Sequence, residues 1–309
     1  MTVRLKRIIC FWLILLFLFK TDTKAYAQSL LNPITGNLKI TAGPVYRNTN
    51  FHWSIAGTPE GTDPDIYSEL KYKNIKTGGF NTGAEYRIIK GLAIRLHYTR
   101  QYTFSGNATD IDYAGDNRTD YIPPTVGDTL FKSDKGSMRD FNIALSYYFL
   151  DKERLKLNAG AGYNSTRELF YLLDDEMPEL RTTYRTDWKG LLLFFESVVQ
   201  PVEKVRIGLE MAYQPVKYRS VANWNLQEAF EHPVSFTHSA RGTAWDFSFY
   251  GAYRICKKLS AAIRWQKADW RTGYGVDKLY LTTGEVPETR MNGAFRKNSG
   301  WLLNMEYAF

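Results

Sequence analysis

The chain has 309 residues, 44% of them hydrophobic and 15% aromatic, with a formal charge of +8, four histidines and two cysteines. Residues 1–27 carry five bases (Arg4, Lys6, Arg7, Lys20, Lys24) against Asp22, so 8 − 4 leaves +4 on the remainder, and no basic cluster argues for nucleic acid. Beyond residue 27 Cys256 stands alone, which excludes an internal disulfide, and no apolar run approaches the roughly 18 residues of a spanning helix.

Arg4, Lys6 and Arg7 precede an apolar run from Ile8 to Phe19, which is followed by Ala25-Tyr26-Ala27. Basic head, short apolar core and small-x-small site predict a secretory signal peptide over 1–27 and leave one domain over 28–309. From Leu38, the residues Ile40, Ala42, Pro44 and Tyr46 alternate as a first strand, and 50–65 read as a loop. Ile66, Leu70 and Tyr72 share parity with Phe80, Ala84, Tyr86 and Ile88, predicting one unbroken strand over 66–88. At ~3.3 Å per residue it would run about 75 Å, over twice the thickness of a hydrocarbon core, so its upper half must stand in water.

A tight turn at Ile89-Lys90-Gly91 leads to Leu92, Ile94, Leu96 and Tyr98, followed by a long polar stretch over 105–136. Phe141, Ile143, Leu145, Tyr147 and Phe149 form the next strand and return through the turn Asp151–Arg154 to Leu155, Leu157, Ala159, Ala161 and Tyr163. An acidic loop at Asp174, Asp175 and Glu176 precedes Leu191, Leu193, Phe195 and Val199. That run also fits a short buried helix by pattern, but its place between two hairpins favours strand. The turn Gln200–Lys204 leads to Val205, Ile207, Leu209, Met211 and Tyr213; a loop over 223–236 then precedes Trp245, Phe247 and Phe249. The turn Arg254–Lys258 leads to Leu259, Ala261, Ile263 and Trp265, and a polar stretch over 272–296 precedes the final strand, in which Trp301, Leu303, Met305, Tyr307 and Phe309 share a face.

Ten strands result, joined by four short and five long connections in strict alternation. That order predicts an all-β, ten-stranded antiparallel transmembrane β-barrel with short periplasmic turns and long surface loops, in an outer membrane of the Gram-negative type. The opposite parity holds Glu85, Arg87, Arg95, His97, Arg206, Glu210, Asp246, Arg264 and Glu306. A narrow barrel would be filled by such side chains as paired charges, which disfavours a solute channel.

Within the stretch after the third strand stands Gly106-Asn107-Ala108-Thr109-Asp110-Ile111-Asp112-Tyr113. Aspartates at i and i+2 of an extended segment project to one side, close enough to hold one water or share one proton; acidic pairs in surface loops more often only solvate the loop. The segment resembles the omptin family of outer-membrane proteases, whose Gly-Asn-x-x-Asp-x-Asp-aromatic motif follows the third strand of a ten-strand barrel. Gly106, Asn107, Asp110, Asp112 and Tyr113 match it, and Ser68-Glu69-Leu70 and Trp224 are smaller likenesses. The final strand also resembles the terminal recognition strand of outer-membrane proteins, which engages the barrel assembly machinery.

The resemblance implies a water held by Asp110 and Asp112 and activated by a histidine of an Asp-x-His dyad in the fourth surface loop. Here His232 lies in that loop, but Phe230 stands two residues before it and no Asp occurs between Tyr213 and Ala240. Glu231 and Glu228 are the carboxylates left to orient it, so the dyad is incomplete. His238 belongs to the following strand. No histidine has metal-ligand spacing, and neither a metal nor a cofactor is expected. The first reading is therefore a monomeric surface structural or interaction protein on an omptin-like scaffold, in contact with outer-membrane lipid, with lipopolysaccharide a further partner implied by the resemblance. The alternatives are an endopeptidase acting on exposed peptides and, third, a narrow solute channel.

Overall fold

The computed structural model describes residues 38–123 and 130–309; the expected signal peptide lies outside them. The described residues form twelve strands in a single antiparallel sheet. In chain order these are β1 (Leu38–Ile55), β2 (Ser68–Ile89), β3 (Leu92–Gly115), β4 (Thr119–Ile122), β5 (Leu130–Lys132) and β6 (Gly136–Asp151), then β7 (Leu155–Leu173), β8 (Arg181–Val202), β9 (Val205–Asn223), β10 (Phe236–Arg254), β11 (Leu259–Leu279) and β12 (Glu288–Ala308). Each long strand pairs with its chain neighbours, β3 passing over the short β4 and β5 to reach β6. The sheet closes on itself where β1 meets β12, from Lys39 opposite Ala308 to Ile55 opposite Met291. Closure leaves no long unpaired edge, which is what makes the final aromatic strand tolerable. Against the ten strands expected, the two additional ones are only 4 and 3 residues long and lie in the polar stretch after β3.

The outer face carries a belt of exposed apolar side chains, among them Leu96, Phe141, Leu145, Phe249, Leu303 and Phe309. Along β6 the alternating run from Phe141 to Phe149 covers nine residues, about 27 Å of strand, close to the apolar height of an outer-membrane wall. Water would not tolerate so continuous a patch. Inside the belt, opposite charges meet across the ring: Arg95 lies 2.8 Å from Glu210 and 3.4 Å from Glu196, and Arg206 lies 2.5 Å from Glu306. At the top of the belt Arg47 pairs with Asp140, and higher, beneath the Trp270 ring, the fully buried Arg296 reaches Glu168 at 2.9 Å. The interior space left between these groups is about 220 Å³.

Above the belt the ring continues, and there aromatic side chains fill most of the interior. Phe51, Trp53, Tyr72, Phe170, Tyr184, Trp188, Tyr218, Phe236 and Trp270 form one buried cluster, with Phe51 and Phe170 stacked at 5.3 Å. The loops expected over 105–136 and 272–296 are in large part strand, and β1 runs on to Ile55 before the loop expected over 50–65, because this upper sheet buries its inner face without any lipid to impose apolar residues on the outer one. The unbroken register expected over 66–88 is also corrected. The β2–β3 register shifts between Lys73 and Thr77, where Asn74 adopts a left-handed φ of 54°. One extra residue reverses parity, so Leu70 and Tyr72 turn inward and are buried while Phe80 and Tyr86 face out.

Candidate functional site

That shift also decides where the acidic pair points. Above it, Asp110 lies opposite Leu70 and Asp112 opposite Ser68, so both carboxylates share the inward face of β3 as i and i+2 neighbours. Asp112 accepts a hydrogen bond from Ser68, and Asp110 accepts one from Trp224 of the β9–β10 loop, reaching across the mouth of the ring. Asp110 keeps part of its surface as a residue, but its Oδ1 is enclosed and unpartnered. Burial, then the nearby Asp112, pushes the Asp110 carboxyl up to about 8, with the Trp224 bond opposing. Asp112 is raised in the same direction by burial, with Ser68 opposing. At neutral pH the pair therefore holds Asp110 as the acid, able to donate a proton.

On the opposite face of the same strands Glu69 is a structural anchor. Burial alone would raise its carboxyl, but Arg118 and Lys71 outweigh burial and hold it below its usual range. Arg118 contributes a forked contact at 3.1 and 3.2 Å, Tyr113 donates at 3.1 Å and Lys71 completes the set. This cluster ties the segment carrying β4 to the wall and steadies the strand that bears Asp110 and Asp112.

His232 is exposed at the rim, with Nδ1 2.8 Å from the Asn223 side-chain oxygen. Glu228 and Glu231 are exposed on the same loop. Phe230, the residue standing two before His232, forms a bridge to Leu281 of the β11–β12 loop, and the Glu231 amide donates to the Tyr280 carbonyl at 2.8 Å. The loop is thereby fastened to its neighbour. The structure brings Asp110 and Asp112 together, and it places His232 with Asn223.

The histidine that meets a carboxylate is His238 on β10. It is buried, with Nε2 3.0 Å from Asp277 Oδ1, a contact that falls short of hydrogen-bond alignment. Its Nδ1 lies 2.7 Å from the Tyr184 hydroxyl, itself 2.7 Å from the Tyr218 hydroxyl. Tyr184 can donate to Nδ1 while Nε2 faces Asp277. Tyr184 and Tyr218 are held protonated, burial pushing both hydroxyls up. Tyr72, raised by burial and then by Asp110 and Tyr218, stands between the two groups with its hydroxyl unpartnered. Sequence reading placed His238 on the strand but missed Asp277. Strand parity across Ala268, Trp270 and Thr272 sets odd residues outward, and only the irregularity between Arg271 and Gly275 turns Asp277 in.

Residues 39–307 match the family model described as Protochlamydia outer membrane protein. Among solved structures the chain is similar to the outer membrane protease OmpT of Escherichia coli, with a TM-score of 0.71 and 12% identity over 92% of this chain and 100% of that one. It is more distantly similar to OprG of Pseudomonas aeruginosa, with a TM-score of 0.43 and 10% identity over 89% of this chain and 96% of that one. For the outer membrane protein AlkL the TM-score is 0.40 and the identity 11%, over 94% of this chain and 97% of that one. No curated protein matches by sequence.

Proposed function

This chain belongs to the Protochlamydia outer membrane protein family and lies in the outer membrane, and on that premise we propose that it acts there as a surface structural or interaction protein. In this reading the ten long strands, β1–β3 and β6–β12, are a transmembrane barrel with its short turns in the periplasm, β4 and β5 belong to a surface loop, and the barrel works as a monomer. The final strand is read by the barrel assembly machinery, and the outer wall contacts lipid, lipopolysaccharide included.

The observation that carries the reading is the filled interior. Ion pairs such as Arg95–Glu210 and Arg206–Glu306 occupy the barrel at the level of the belt, and above it the aromatic cluster packs around the buried Arg296–Glu168 pair. His238 is enclosed, with Nδ1 against the Tyr184 hydroxyl and Nε2 facing Asp277, so it is kept from water, while His232 rests on a neutral amide in place of the carboxylate of a dyad. The test is cleavage of basic-site peptides by the refolded protein with lipopolysaccharide, beside single-barrel conductance in a planar bilayer. Near-background values in both are expected. Steady conductance would favour the channel, and turnover lost in both Asp112→Ala and His232→Ala would favour a protease.

One observation favours the endopeptidase as the second reading: Asp110 and Asp112 face inward together, and burial keeps Asp110 protonated up to about 8. In that reading the pair holds the water and His232, oriented by Glu228 or Glu231, is the base. Loss of an orienting carboxylate can lower turnover by roughly ten-thousandfold, so Phe230→Asp should raise activity if the loop can present the new carboxylate to His232.

A further inference from the structure

The lipid-facing wall is not uniform. Where β10, β11, β12 and β1 run side by side near the short-turn end, the outer face sinks into an apolar groove of about 540 Å³. Ala42, Gly251 and Ala261 form its floor, and Tyr253, Leu303 and Met305 stand at its sides. The registers put most of these in one row, with Ala42 opposite Met305, Met305 opposite Ala261 and Ala261 opposite Tyr253. At Gly251 an added Cβ would meet nothing within 4 Å, so the depression is open space that the wall itself does not fill.

The turn at the foot of the groove differs from the other three short ones. Arg254–Lys258 carries three bases and no acid, whereas 89–91 carries a net single positive charge and 151–154 and 200–204 carry none. Lys257 and Lys258 are exposed, and none of the three bases forms an ion pair among the described residues. Lys204 of the adjoining turn lies beside them, its carbonyl accepting from the Arg254 amide. From Gly251 to the end of β10 at Arg254 is three residues, about 10 Å of strand, and the turn bearing Lys257 and Lys258 follows directly, so the cations sit just beyond the apolar groove, as a phosphate sits beyond its acyl chain.

We propose that this groove binds one anionic phospholipid of the periplasmic leaflet, an acyl chain lying over Gly251 and Ala261 and the phosphate meeting Lys257 and Lys258. The apolar trough fits hydrocarbon, and the unpaired cations fit an anionic headgroup at the depth where that leaflet presents it. A basic residue at a membrane surface contributes about 1 kcal/mol toward an anionic lipid, close to fivefold in affinity, so two contribute about 25-fold.

The test is native mass spectrometry of the full-length mature barrel released from nanodiscs of phosphatidylglycerol or of phosphatidylcholine. Wild type should retain one phosphatidylglycerol and little phosphatidylcholine. Lys257→Gln with Lys258→Gln should lower retention more than tenfold, and Gly251→Leu, which the open space accommodates, should abolish it while leaving the heat-modified gel shift of the folded barrel unchanged. Equal retention of the two lipids would overturn the headgroup contact, and undiminished retention by Gly251→Leu would overturn the groove. A wild-type dimer converted to monomer by Gly251→Leu would assign the groove to a second copy and overturn the proposal.

Discussion

Replacing Asp110 with Asn tests the electrostatics of the mouth directly. The folded carboxyl sits at about 8 against an ordinary 3.8, so it must stay protonated to remain where it is. A raised acid contributes stability that is intact below about pH 4 and is lost as pH rises through about 8. At ~1.36 kcal/mol per pH unit, the climb from 3.8 to about 8 sets a ceiling of roughly 6 kcal/mol. Asp110 keeps part of its surface, so water at the mouth lowers this, and about 2–3 kcal/mol by pH 8.5 is expected. Asn retains an acceptor for Trp224 and has no proton to lose. Urea unfolding in lipid vesicles, followed by tryptophan fluorescence between pH 5 and pH 9, should show wild type weakening with pH while Asp110→Asn stays level and becomes the more stable protein at the alkaline end. Parallel curves would mean that Asp110 ionises freely. A variant less stable at pH 8.5 would mean that the Trp224 bond depends on the charge.

Arg296→Met should cost about 3–5 kcal/mol in the same unfolding assay, because it leaves Glu168 buried without its partner; adding Glu168→Met should recover much of the loss. Tyr184→Phe removes the hydroxyl joining Tyr218 to His238 Nδ1 and should lower stability by about 1–3 kcal/mol, with the aromatic cluster otherwise retained. A shift below 0.5 kcal/mol would show that the chain is not stabilising. Tyr307→Ser with Phe309→Ser removes two outward aromatics from the closing strand, forfeiting several kcal/mol of burial, roughly 2 or more each, and should leave the protein in the periplasm on membrane fractionation.

Except over residues 191–199, where Leu192 and Phe194 are apolar as well, the alternation of apolar and polar residues marked which segments are strand and where they turn back wherever lipid lies outside. There each outward side chain must be apolar and each inward one can be polar, so the pattern from Phe141 to Phe149 or from Trp301 to Phe309 admits one interpretation. It also placed Asp110 and Asp112 on one face and set the charges of the lumen inward, where Arg95, Arg206 and Glu210 are found in pairs. Above the lipid that constraint ends. The outer face of the upper sheet meets water, polar residues occupy both faces of the alternation, and strand reads as loop. A single extra residue at Asn74 then reverses every side chain beyond it, a step no periodicity marks. Trp224 reaching Asp110 depends on ring closure and on the irregularity in β3, and Asp277, directly opposite His238 across β10 and β11, turns inward with it only because of the irregularity between those strands. Tertiary structure alone decides such contacts, because the sequence records the parity of each strand and not the residue at which that parity changes.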